Sequence, residues 1–257
     1  MIRISVLHNE LEKFVEEKSG FSVFIEVFGK KILFDTSINK DILKNARKLN
    51  IDLSSADYIV LSHGHWDHTE GLQYLTDIEA EVIAHPACFD KKYYEDVSIG
   101  APFTMEEMEE HFHVKLSKEP YFLTEKIVFL GEIPRRTPFE SQDPLGYLTN
   151  GDNDFLLDDS ALAIKSQKGL IVISGCSHAG ICNIIIHAKK VCNEDRIHAV
   201  LGGFHLFDKE KTNKTVKFLT EQDIGHIYPA HCLDTYAFSA FEKIGADRIH
   251  TCQQLVL

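Results

Sequence analysis

The segment Asp57-Tyr58-Ile59-Val60-Leu61-Ser62-His63-Gly64-His65-Trp66-Asp67-His68 decides the reading of this chain. Asp57 to Ser62 is a nearly continuous apolar run ending in polar residues. That is the pattern of a buried strand whose C-terminal end opens on a site. Three histidines and an aspartate then fall within six residues. His63 and His65 are two positions apart, so in extended chain their rings point the same way. Asp67 and His68 come after a turn and can point back to a neighbouring position. Imidazole and carboxylate donors suit zinc, iron or manganese, and no thiolate is needed. The set divides into two subsites, one on His63 and His65 and one on Asp67 and His68. Two ions about 3.5–4 Å apart can share a hydroxide and clamp the attacked group. Gly64 keeps the turn tight.

Around this segment the chain alternates strands and helices. Ile4 to Leu7, Phe21 to Phe28 and Lys31 to Asp35 read as strands, with Gly29-Lys30 as the hairpin turn between the latter two. Asp41 to Asn50 has helical periodicity, Thr69 to Leu75 predicts a short helix, and Glu81 to Pro86 is a strand stopped by proline. Met105 to Glu110 is either a helix face or a solvated acidic turn. Residues 132–154 hold three prolines and no period, and predict a long loop acting as a lid or substrate wall. The rhythm then returns: a hairpin from Ala161 to Gly175, helices at Ile181 to Val191, Thr212 to Thr220 and Tyr236 to Ile244, and strands at Ile197 to Gly203 and His226 to His231. Both halves show a hairpin, then strands alternating with helices, with histidines just past strand ends. Two such βα layers packed face to face give an α/β fold, a four-layer αβ/βα sandwich over residues 1–257, with loop 132–154 between the halves.

One motif supplies too few ligands, so others must come from elsewhere. His178 in Gly175-Cys176-Ser177-His178 follows an apolar strand, as His63 does, and His231 in Tyr228-Pro229-Ala230-His231 also follows a strand. His205 after Gly202-Gly203-Phe204 is open to three roles: ligand, proton donor or phosphate contact. Asp35 closes a strand and can orient a ligand histidine from behind. His85 is either wall or packed polar group. Cys176, two residues before His178, either faces the metals or is a buried, inert cysteine, the latter favoured. Arg135 and Arg136, in the long loop, are candidates to meet a phosphate or carboxylate of the substrate.

Composition narrows the partners. The 257 residues carry 27 basic and 39 acidic side chains, a formal charge of −12, which argues against a broad nucleic-acid face. The six cysteines include no CxxC pair. The N-terminal segment has no signal-peptide pattern, and no apolar run is long enough to span a membrane. A cytoplasmic enzyme acting on a small phosphorylated substrate, away from nucleic acid and membrane, is expected.

The His-x-His-x-Asp-His motif after a strand, with later single histidines, resembles the metallo-β-lactamase superfamily. Lys31 to Thr36, Leu61 to Leu72, Asp158 to Ile181 and Leu201 to Leu206 are similar to its 7,8-dihydropterin-6-methyl-4-(β-D-ribofuranosyl)aminobenzene 5′-phosphate synthase branch. The resemblance implies an αβ/βα sandwich with two divalent metals, zinc foremost and manganese or iron as alternatives. It implies His63, His65 and His178 on one metal, Asp67, His68 and His231 on the other, His205 lining the site, and Asp35 as the supporting aspartate. One departure stands out. Most superfamily hydrolases end the comparable late strand in a bridging aspartate, whereas this chain has Ser174-Gly175-Cys176-Ser177. Asp158 and Asp159 lie too early to replace it. The expected activity is hydrolysis of a small phosphodiester or cyclic-nucleotide-like ester through a metal-bound hydroxide, with Asp67 orienting that hydroxide and His205 assisting. The alternative is the synthase reaction, which joins a dihydropterin pyrophosphate to β-ribofuranosylaminobenzene 5′-phosphate and releases pyrophosphate.

Overall fold

Runs of β-branched and aromatic residues build two sheets. The structure, a computed structural model, describes residues 1–10 and 19–257. In the first sheet β1 (Ile2–Glu10), β2 (Gly20–Val27) and β3 (Lys30–Phe34) form an antiparallel meander. β4 (Tyr58–Val60), β5 (Glu81–Ala84) and β8 (His113–Leu116) continue it in parallel, and β16 (Gln254–Val256) pairs with the free side of β1. The second sheet repeats the plan. β12 (Ala161–Ser166) and β13 (Gly169–Ser174) form the hairpin, and β14 (Ile197–Gly203) and β15 (His226–Ala230) extend it in parallel. β10 (Ile127–Phe129) and β9 (Tyr121–Thr124) complete its other side.

Side-chain alternation along the strands sorts the core into layers. Val23, Ile25, Ile32 and Phe34 meet Leu162, Ile164, Ile171 and Ile173 between the sheets. Their neighbours Phe24 and Leu33 point outward, against Ile42 and Ala46 of α1 (Asp41–Lys48). On the second sheet Ala163, Leu170 and Val172 pack outward on Ile181, Ile184 and Ile185 of α4 (Ile181–Cys192), with α5 (Lys209–Thr220) and α6 (Thr235–Glu242) completing that layer. The result is the expected helix–sheet–sheet–helix sandwich. No helix among the described residues is long and apolar enough to cross a membrane.

Several local expectations shift. Val27 pairs with Lys30, so the hairpin turn is Phe28-Gly29, with φ of 51° and 76°, one residue earlier than expected. The helix after the histidine motif begins at Trp66: α2 (Trp66–Thr69) runs on as a 3₁₀ turn over Glu70–Tyr74. Asp67 therefore sits in a helix first turn, where the N-terminal partial charge favours a carboxylate. Met105–His111 is a helix (α3), with a reciprocal Thr104–Glu107 cap. A third, small sheet joins β6 (Lys92–Tyr94), β7 (Val97–Ser98) and β11 (Tyr147–Leu148). It draws part of loop 132–154 into regular structure, with Tyr93 stacked on Tyr147. The loop is also pinned to α4: Glu140 accepts from the Cys182 and Asn183 backbone N–H groups, and Asn183 Oδ1 accepts from those of Arg136 and Thr137. It forms a fixed wall.

Candidate metal centre

The candidate donors lie at strand ends. His63 and His65 follow β4; Cys176 and His178 follow β13; His205 and His231 follow β14 and β15. These strands are parallel members of their sheets, and their C-terminal ends gather at one edge of the sandwich. Several residues there are held in left-handed backbone: Asp35, Ser177, His205 and His231 have φ between 46° and 57°. Such conformations persist only where surrounding structure over-determines them.

Among the described residues five overlapping groups of three donors form, two of which divide the expected ligands between them. The donor atoms of His63, His65 and His178 lie within 4.8 Å of one another, as do those of Asp67, His68 and His231. The rings form one continuous group, with centroids 4.3 Å apart for His63–His68, 4.8 Å for His63–His178 and 5.0 Å for His68–His231.

The outer partners decide which nitrogen faces inward. Ser62 Oγ donates to Asp35 Oδ2 at 2.7 Å, so its oxygen accepts from His63 Nδ1 at 2.8 Å. That leaves a lone pair on His63 Nε2, which sits 3.1 Å from His65 Nδ1. His68 Nδ1 donates to Asp35 Oδ2 at 2.7 Å, and His231 Nδ1 to the Glu10 carbonyl at 3.1 Å. Both present Nε2 to the interior. His231 Nε2 lies 3.2 Å from Asp67 Oδ2, which also accepts from Ser19 Oγ at 3.1 Å. Asp35 is thus placed behind two of the histidines, as expected, and Ser62 relays it to His63.

The electrostatics match a cation. Burial, reinforced by neighbouring rings, pushes His63 and His178 well down, and burial lowers His65 to about 4. Neutral imidazole is the form a metal requires. Burial also opposes charge on His68, but Asp67 and Asp35 outweigh it and raise that ring to about 9. Burial acts upward on Asp67 as well, and His68 and the hydrogen bond from His231 more than reverse it, keeping it a carboxylate. A pocket that stabilises positive charge this way fits a divalent ion.

For Cys176 the structure favours the alternative that it faces the donors. It is buried, but its Sγ is 3.2 Å from His68 Nε2. It lies within 4.8 Å of His63 and His68, of His231 and Cys232, and of His178 and His205. The strand end that lacks a carboxylate therefore places a sulfur at the meeting point of both triads. Burial pushes its thiol well up. A bound cation would act the other way, since a coordinating thiol is deprotonated.

Two adjacent aspartates that sequence reasoning set aside hold the loops. Asp158 Oδ2 accepts from Gly64 N–H at 2.7 Å, and Asp159 Oδ2 from Ala179 N–H at 2.8 Å. One fixes the His63–His65 turn and the other the His178 turn. Gly64 is required because a Cβ there would overlap the Cys88 carbonyl. Gly175 is required because a Cβ would overlap Ser62 Oγ and Asp35 Oδ2. Lys92 is buried with its Nζ 3.3 Å from Asp158 Oδ1 and 3.0 Å from the Ala87 carbonyl. The legible trace of these clamps is the Asp158-Asp159 pair before a strand; nothing local marks Lys92.

Other candidates fall differently. His205 joins the group, its ring 4.4 Å from His178 and its Nδ1 buried without a hydrogen-bond partner. Arg135 is turned away from a substrate role: Nε donates to Ser141 Oγ, Nη1 to the Ile133 carbonyl and Nη2 to the Phe155 and Leu156 carbonyls. Its five donors suit bracing a loop. Arg136 is exposed and contributes its backbone N–H to Asn183. His85 is a buried packing group, accepting from Ala87 N–H and facing Glu132 at 3.5 Å.

Relatives share this arrangement's frame. The chain is 35% identical over 255 residues to the Methanocaldococcus jannaschii protein MJ0448, covering 95% of this chain and 93% of that one. It is 35% identical over 256 residues to the 7,8-dihydropterin-6-methyl-4-(β-D-ribofuranosyl)-aminobenzene-5′-phosphate synthase of the same organism, covering 90% and 87%. The crystal structure of Tm1679, described as a metal-dependent hydrolase of the β-lactamase superfamily, superposes with a TM-score of 0.86 at 31% identity, covering 100% of this chain and 99% of that one. The sequence profile of the metallo-beta-lactamase superfamily matches residues 15–231, from before β2 to the last of the clustered histidines. By sequence profile, by fold and by the motif that opens its site, the chain belongs to the metallo-β-lactamase superfamily.

Proposed function

We propose that the chain is a dinuclear metal-dependent enzyme that hydrolyses a small phosphorylated ester. The observation that carries this is the pair of largely buried donor triads sharing one edge of the sandwich. His63, His65 and His178 would hold one ion, Asp67, His68 and His231 the other, with Cys176 between them. Zinc suits this nitrogen, oxygen and sulfur set, iron accepts it as well, and manganese suits its nitrogen and oxygen donors. Two such ions would supply a nucleophile at neutral pH and neutralise the charge developing on phosphate.

The protein's own part is positioning. Asp35 and Ser62 fix the rings of His63 and His68, so the donors need no rearrangement. Asp67, fixed by Ser19 and His231, orients the attacking water. His205, beside His178 with its free Nδ1, protonates the leaving oxygen.

The second reading is the synthase reaction, supported by 35% identity to a protein of that name. The ions held by the same donors would then take up the charge of the leaving pyrophosphate.

The test is metal content of protein purified without chelator, measured with turnover of a phosphodiester and cyclic-nucleotide panel before and after chelation. About two ions per chain with chelator-sensitive turnover supports hydrolysis. Full metal without ester turnover, but pyrophosphate release requiring both dihydropterin pyrophosphate and β-ribofuranosylaminobenzene 5′-phosphate, supports the synthase. Absence of tightly bound metal, with His63→Ala unchanged, refutes both.

A further inference from the structure

β14 lies between β13 and β15 and ends in Gly202-Gly203. Gly203 has no side chain, so the loops leaving β13 and β15 close over it. A Cβ there would overlap the Gly175 carbonyl oxygen and the Cys232 sulfur. Ser177 and His231 bend those loops through left-handed backbone, with φ of 57° and 55°. Two sulfurs 56 positions apart in the chain are thereby brought together. Cys232 Sγ lies 3.5 Å from the Cys176 carbonyl oxygen and within 4.8 Å of Cys176 Sγ. Closing to an S–S bond of about 2.05 Å asks for side-chain rotation, not a change of strand register. No other cysteine enters a donor group among the described residues.

The two sulfurs are not equivalent. Cys176 is 4% exposed, and its Sγ is 3.2 Å from His68 Nε2. Cys232 is more open, and its sulfur accepts the His205 backbone N–H at 3.2 Å, a contact that favours negative charge on it. An oxidant therefore meets Cys232 first, with Cys176 poised to resolve the product. The proposed reaction places Cys176 between two ions and gives Cys232 no part.

We propose that Cys176 and Cys232 are a site of reversible oxidation, which a hydroperoxide converts to a disulfide when no ion is bound. The Cys232 sulfur attacks a peroxide oxygen. An S–O bond forms, the O–O bond breaks, and the other oxygen leaves as alcohol or water with the thiol proton. The Cys176 sulfur then attacks the Cys232 sulfenic acid. An S–S bond forms, the S–O bond breaks, and the departing hydroxide takes the Cys176 proton to become water. The thiols lose two electrons and the peroxide gains two. The disulfide withdraws the sulfur that stands between the triads, so it competes with metal. That coupling is reciprocal: a bound ion withholds Cys176 from oxidation, and oxidation lowers affinity for the ion. The competition rests on the proposed metal site, whereas the thiol pair stands without it.

The experiment exposes the full chain, chelated or loaded with zinc, to hydrogen peroxide. Zinc has no redox chemistry of its own. Free thiols are counted after denaturation, cross-linked peptides are identified by mass spectrometry, and zinc affinity is read by competition with a chromophoric chelator. In the chelated chain we expect two of the six thiols to be lost, a Cys176–Cys232 cross-link, and recovery of both thiols with dithiothreitol. Zinc should slow the cross-link about tenfold or more, and the oxidised chain should bind zinc about tenfold or more weakly than the reduced one. Cys232→Ser should lose the cross-link. Cys252→Ser, which removes the other partly exposed cysteine, should keep it. A chelated chain that forms no Cys176–Cys232 cross-link, a cross-link through Cys252 instead, equal rates with and without bound zinc, or equal zinc affinity before and after oxidation would each overturn the assignment. A cross-link in a chain that binds no zinc when reduced removes the proposed function and leaves the thiol pair; tight zinc binding without the cross-link does the reverse.

Discussion

The two halves of the molecule reach the same site by different routes. In the first half, four donors occupy six consecutive residues, carried by one loop and the start of α2. In the second half Cys176, His178, His205 and His231 come from three strand ends spread from residue 176 to residue 231. The architecture of the halves is the same, a hairpin and two parallel strands. What differs is contiguity. A contiguous donor set needs one loop held in shape, and Asp158 and the space over Cys88 hold it. A dispersed set depends on the register between three strands, so the same number of donors requires correct packing of the whole second sheet.

The sharpest break would be to remove one donor from each half. His63→Ala and His178→Ala should each lower turnover by about a thousandfold or more and release metal from the shared triad. If His178→Ala kept its metal and activity, the first half would be sufficient alone and the comparison would collapse. Metal analysis with kinetics on the same preparations decides it. Gly64→Ala comes next, because the new methyl must displace the Cys88 carbonyl. It should cost on the order of 2–4 kcal/mol, read by denaturant unfolding. The equivalent lesion in the second half is Gly175→Ala, which presses on Asp35 and Ser62, so its effect should appear in metal affinity as well as in stability.

Asp35→Asn should weaken metal binding about 10–100-fold, since the amide can no longer accept from both His68 and Ser62 as a carboxylate does. Because Asp35 stands behind first-half ligands, the loss should fall mainly on ions held by His63 and His68, visible as a lowered stoichiometry in competition with a chelator. The smallest effect concerns pH. Burial raises Asp159 from 3.8 to about 7, against the Ala179 N–H that lowers it. A carboxyl whose folded pKa is raised contributes stability that is complete below pH 3.8 and is lost as pH climbs toward 7. Asp159→Asn keeps an acceptor for Ala179 but cannot ionise. The melting-temperature difference, variant minus wild type, should therefore grow between pH 4 and 7 and level off above it; a flat difference would remove the assignment.

Legibility followed distance along the chain. The His63–His68 motif could be read because its donors are neighbours, and His178 and His231 because each follows an apolar run. Asp35 was legible as a strand-end carboxylate, although its simultaneous hold on Ser62 and His68 is a three-body contact across β3, β4 and α2. Cys176 was open between facing the metals and inert packing, and only the packing of the second sheet on the first shows that its sulfur meets His68. Arg135 was open between a substrate contact and a solvated pair, and the structure shows neither: its partners are the Ser141 hydroxyl and the Ile133, Phe155 and Leu156 carbonyls. The short edge strands β7, β8, β9 and β11 are legible poorly, because two to four residues are too few to show a clean period.

The sequence by itself determined the fold class, the family resemblance and the chemistry of the donor atoms. Hydrophobic periodicity and residue type are local properties, and imidazole or carboxylate chemistry travels with the residue. Tertiary structure decided which nitrogen of each histidine faces inward, that Asp158 and Asp159 clamp the two ligand loops, that Cys176 lies between the triads and that Cys232 meets it over Gly203. Each of these is a relation between groups remote in the chain, and close packing of the two sheets is what brings them within a few ångströms.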